Sequence, residues 1–106
     1  MIKATIDAGV CGFRTVVEAE SDDMQNVVFR IETDCENIRA MAGDLETVDG
    51  YQELGDGYDG QVLGAARKHL KGCCSACIVP SGIFKAMQVA AGVSLVAPCS
   101  IAIERD

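Results

Sequence analysis

Apolar and polar residues alternate along Ile2–Asp7, and a period of two predicts a short strand there. The stretch Phe13–Glu20, FRTVVEAE, predicts a second strand, with Thr15, Val16 and Val17 supplying β-branched side chains. Val27–Glu32, VVFRIE, predicts a third. Between the first two, Ala8-Gly9-Val10-Cys11-Gly12 sets two glycines around a cysteine, a loop that needs backbone freedom. Ser21-Asp22-Asp23 separates the second and third with turn chemistry. Three strands with short links predict an antiparallel meander.

At Thr33 the period changes. Thr33-Asp34-Cys35-Glu36 has the spacing of a capping box, and Ile38, Met41, Ala42 and Leu45 recur behind it at helical intervals. That cap puts Cys35 in the first turn of a helix, where free amides favour a thiolate. Gly43–Gly60 is acidic, carries five glycines and lacks a calcium-loop spacing, so it reads as a solvated connector with at most a helical turn. Gln61–Lys71 predicts a second helix with Val62, Leu63, Ala66 and Leu70 inward and Gly72 ending it. Pro80–Ala91 predicts a third, with Ile83, Phe84, Met87 and Ala90 as its buried stripe and Gly92 as its stop. Ser94–Glu104 closes the chain as a strand, Ile101 and Ile103 sharing one face and Pro98 marking an edge or a break. The expected fold is α+β in one domain, 1–106: a three-stranded antiparallel meander packed with three helices and a C-terminal strand.

Composition narrows the function classes. A hydrophobic share of 49% with 24% charged residues describes an ordinary globule. Apolar runs such as Val93–Ala97 fall far short of the roughly 20 residues of a membrane span. The first residues hold no signal-peptide core, so the expected location is the cytoplasm, with no membrane partner. A net charge of −7 with nine scattered Lys and Arg argues against nucleic acid. No phosphate-binding glycine motif or nucleophile elbow is present, so neither a nucleotide enzyme nor a hydrolase is expected.

Six cysteines in 106 residues is the feature that composition leaves unexplained. In a cytosolic chain such usage points toward metal or thiol chemistry rather than disulfides. Cys11 sits in the loop before the second strand, Cys35 follows the third, and Cys73, Cys74 and Cys77 lie between the last two helices. In a meander the start of strand two and the end of strand three share one end of the sheet, which places Cys11 near Cys35. A helix returning beside them could add Cys74. Soft thiolates select zinc or an iron–sulfur cluster, with Cys73, Cys77 or the single histidine, His69, as a fourth ligand. Cys99, inside the expected last strand, reads as a packing residue. Cys74-Ser75-Ala76-Cys77 also has the spacing of a dithiol redox pair.

The element order and three short motifs together resemble the iron–sulfur cluster assembly scaffold family, the IscU and NifU N-terminal domain, of SufE/NifU-like fold. The motifs are Gly9-Val10-Cys11-Gly12, Thr33-Asp34-Cys35-Glu36 and Cys73-Cys74-Ser75, and the intervals from Cys11 to Cys35 and on to Cys74 are close to the family's. The resemblance covers about residues 5 to 91. It implies Cys11, Cys35 and Cys74 as cluster ligands or persulfide acceptors, and a sulfur donor or acceptor apoprotein as partner. The chain departs from the pattern at four places. Phe13 follows Gly12 where the family has an aspartate, and Cys73 stands in place of its histidine. Cys77 is foreign to the pattern, and the family's N-terminal helix is exchanged for a closing strand.

The expected function is therefore a small cytosolic metal- or iron–sulfur-binding protein, a scaffold or carrier rather than an enzyme, with iron–sulfur or zinc as its cargo. The alternatives are a thiol–disulfide redox protein using Cys74 and Cys77, and a binding module that kept the fold without the metal chemistry.

Overall fold

A computed structural model describes residues 1–106. The three expected strands form as β1 (Ile2–Asp7), β2 (Arg14–Glu20) and β3 (Asn26–Thr33). A short fourth strand, β4 (Thr47–Asp49), completes an antiparallel sheet in the order β1-β2-β3-β4. The helices are α1 (Glu36–Ala42), α2 (Gly50–Asp56), α3 (Gln61–His69) and α4 (Val79–Ala90), with 3-10 turns at Gly57–Asp59 and Gly72–Ala76.

Register converts the alternation into one apolar face. Ala4 lies opposite Val17, Val17 opposite Ile31, Ala19 opposite Phe29, and Val27 opposite Val48. These side chains meet Ile38, Met41, Val62, Ile83 and Met87 from the helices in a single core. The other face is solvated, and Glu18 and Arg30 face each other across it at 3.9 Å. Position 82 brings α4 close against β1, because a Cβ there would collide with Ile6. Residues 72–90 together have the length and hydropathy of a membrane span. They are divided between a 3-10 turn and α4, whose Val79, Ile83, Ala86 and Met87 are buried in the core.

Four expectations change. The acidic connector is not structureless, since it contains β4 and α2. Asp49 ends β4 and caps α2, accepting from the amides of Tyr51 at 3.0 Å and Gln52 at 3.1 Å. The capping box at Thr33 does not form. Thr33 ends β3, its hydroxyl bonds that of Thr15 at 2.9 Å and accepts from the Cys35 amide at 3.2 Å, and Cys35 itself is the N-cap of α1. A residue already paired in the ladder is not free to cap the helix. The helix count is four rather than three.

The closing strand is also absent. Residues 93–106 carry no regular structure and are exposed throughout, Cys99 among them, so Cys99 packs into no strand. Alternation makes a strand only where a neighbouring edge accepts its hydrogen bonds. The chain leaves α4 with Gly92 in a left-handed conformation (φ 77°) against Met24, and Ala91 sits against Gly50. The far side of that exit offers only the three-residue β4. The observed fold is α+β, with a four-stranded antiparallel sheet covered on one face by helices.

Candidate thiol site

The β1–β2 hairpin delivers Cys11. Its loop closes through the Gly12 amide donating to Gly9 at 2.9 Å and the Ala8 amide donating to Phe13 at 3.2 Å. Gly9 (φ 95°) and Gly12 (φ 76°) hold the left-handed turns this needs, and Cys11 is exposed at the tip. Asp7 pairs with Arg14, and Thr15 with Thr33, so this loop and the end of β3 share one end of the sheet. Cys35 follows directly, half-buried against the core. At the same end, Gly82 near the start of α4 meets Ile6 near the end of β1. The 3-10 turn Gly72–Ala76 leads into that helix and carries Cys73 and Cys74, with Cys77 as its cap.

The turn sets the spacing of its thiols. The Cys74 amide donates to Lys71 at 3.2 Å, and the Cys77 amide donates to the Cys74 carbonyl at 3.1 Å. Cys74 and Cys77 are half-buried and packed against the core, while Cys73 is exposed. Asn37, two residues beyond Cys35 on α1, donates its side-chain amide to the Cys74 sulfur at 3.5 Å. That contact ties the Cys35 segment to the Cys74 segment.

Burial pushes the Cys77 thiol up from its ordinary value, and the neighbouring charges of Cys11, Cys35 and Cys74 push it in the same direction. The Val79 amide opposes them by hydrogen-bonding to the Cys77 sulfur. The charges of Cys11, Cys35 and Cys74 reach Cys77 across the end of the sheet, and the one direct side-chain contact among the segments is that of Asn37 with the Cys74 sulfur. No group of three or more His, Cys, Asp or Glu side chains stands in metal-holding geometry.

His69, the other proposed fourth ligand, is engaged elsewhere. Its Nε2 bonds the Asp44 carboxylate at 2.7 Å, with Lys68 3.6 Å from the same oxygen. This joins α3 to the residues that follow α1 and holds Asp44 below the usual carboxylate range. Sequence reasoning passed over Asn37 altogether, because an exposed polar residue on a helix carries no signal of what it will face. A separate groove of about 340 Å³, lined by Leu54, Tyr58, Leu63, Phe84 and Lys85 among others, contains no cysteine.

The chain belongs to a family of unknown function, DUF6951, whose profile matches residues 2–103. No curated protein and no solved structure matches it.

Proposed function

We propose that this protein is a carrier or scaffold for a thiophilic cargo, an iron–sulfur cluster or a soft metal ion such as zinc, in iron–sulfur assembly or sulfur transfer. Cys11, Cys35, Cys74 and Cys77 are the thiols that receive it. The observation that supports this reading most directly is that the Cys11 loop, the Cys35 segment and the turn carrying Cys74 and Cys77 lie at one end of the sheet, with Asn37 of α1 bonding the Cys74 sulfur. The donor set fits the cargo chemically, since thiolates prefer zinc and iron–sulfur clusters over hard cations. Cys11 rides on a loop hinged by two left-handed glycines, while Cys35, Cys74 and Cys77 are anchored against the core. The resemblance to SufE/NifU-like scaffolds points the same way, and with it a cytoplasmic setting and a protein donor or acceptor.

Anaerobic incubation with iron and sulfide, and separately with zinc, tests the proposal through visible absorption and metal content. Loading is expected in the parent and in His69→Ala, and is expected to fall several-fold in Cys35→Ala and Cys74→Ala. A parent that takes up neither cargo, or variants that load as well as the parent, would overturn it.

A further inference from the structure

Residues 93–106 present an apolar segment that nothing in this chain covers. Leu95 is 87% exposed, Val96 81%, Ile101 71% and Ile103 91%. Beyond Pro98 the run Ser100-Ile101-Ala102-Ile103-Glu104 alternates with period two, the pattern of a half-buried strand. The sheet in turn has one long unpartnered edge. β1 pairs only with β2, and its inward residues Ile2 and Ala4 remain half-buried although they pack on the core.

Within one chain these two features are poorly placed to meet. Gly92 lies against Met24 in the β2–β3 turn and Ala91 against Gly50 just after β4, so the segment leaves on the β4 side of the sheet. It also leaves at the end where Ile2 stands opposite Ala19. To reach β1 it would cross the sheet and then run parallel to β1, bringing Glu104 toward Asp7. A second copy removes both problems. Antiparallel to β1, Glu104 falls opposite Lys3, Ile103 opposite Ala4, Ile101 opposite Ile6 and Ser100 opposite Asp7. The isoleucines then extend the apolar face of the sheet, and unlike charges meet on the solvated face.

We propose that this protein forms a two-fold dimer in which residues 100–104 of each copy add a fifth, antiparallel strand to the β1 edge of the other. Reciprocal exchange satisfies both edges and closes the assembly. The inference stands independently of any thiol chemistry.

Light scattering with size exclusion, in reductant, tests it alongside amide hydrogen exchange of residues 2–7. The parent is expected to be dimeric and to show β1 protection that rises with protein concentration. Ile101→Asp with Ile103→Asp, both on an exposed segment that cannot unfold the core, is expected to be monomeric with that protection lost. Glu104→Lys is expected to weaken the dimer, and Lys3→Glu added to Glu104→Lys to restore it. A monomeric parent, a dimer that survives the double aspartate variant, or β1 protection independent of concentration would overturn the exchange. Failure of the charge swap to restore the dimer would overturn the register.

Discussion

Glu53 is a buried charged residue that ties two helices of the helical layer together. It lies on α2 with 1% of its surface exposed, and its two carboxylate oxygens accept from the first amides of α3, Gln61 at 2.8 Å and Val62 at 2.7 Å. No side chain of Gly60, the N-cap of α3, can do this work, so a residue from the preceding helix caps it instead. Gly60 is also where a Cβ would stand 3.0 Å from the carboxylate oxygens, which accounts for a glycine there. Hydrogen bonds to charged groups contribute about 1.5–3 kcal/mol each, and a buried donor left unpaired costs about 1–3 kcal/mol. Glu53→Ala strands the buried Val62 amide and the partly buried Gln61 amide and leaves a void, so a loss of about 2–4 kcal/mol is expected. Glu53→Gln keeps one acceptor but turns an NH2 group toward the second amide, so about 1–2 kcal/mol is expected. Urea unfolding measures both, with the midpoint falling at an unchanged slope. Thermal midpoints should fall by about 4–8 °C per kcal/mol in a domain of this size. A Glu53→Ala variant within about 0.5 kcal/mol of the parent would refute the capping role, since that is the range of substitutions that break no named interaction.

The β2–β3 turn should show its own pH signature. Asp23 is lowered from 3.8 to about 2, first by the Asn26 amide and side chain and then by the Gln25 amide. A carboxylate depressed in the folded state stabilises it above 3.8, and that stabilisation is lost as pH falls toward about 2. The stability gap between parent and Asp23→Ala should therefore be constant near neutrality and close across that window. A gap that persists at the acid end would show that the turn does not depend on the charge. Alkylation under native conditions should separate the thiols by exposure and burial. Cys11, Cys73 and Cys99 should react first and Cys77 last, as peptide mass spectrometry can follow.

The parts of this fold that were readable from sequence are those where a long period meets a partner within the chain. β1, β2 and β3 follow directly from alternation, and α3 and α4 from helical spacing, because each has its apolar face covered. β4 escaped notice since three residues cannot display a period, although Asp49 followed at the third position by Gln52 was a visible helix-start signal for α2. The Thr33 box was misleading for the opposite reason. Its local chemistry was sound, but pairing with Thr15 in the ladder claimed the residue first. That the Cys11 loop and the Cys35 segment share one end of the sheet was legible because meander topology decides it, whereas Cys74 is placed by the return of the chain into α4, which the meander does not specify. What Cys77 and Asn37 contribute depended on the 3-10 turn Gly72–Ala76, a structure with no sequence period of its own.

The strand exchange and the thiol site, argued from different observations, meet at one point. In the register that sets Glu104 opposite Lys3, the residue before the added strand, Cys99, falls beside Ala8, where the Cys11 loop begins. A thiol that is solitary and exposed in one chain is thereby delivered to the hairpin of the other, whose glycine turns leave Cys11 free at the tip. A short bis-maleimide added to the reduced dimer should join Cys99 of one copy to Cys11 of the other. The crosslink should vanish in Ile101→Asp with Ile103→Asp, although both thiols remain exposed there. A crosslink of equal yield in that monomeric variant would mean that collision rather than docking brings the thiols together. That result would overturn the register that sets Cys99 beside Ala8.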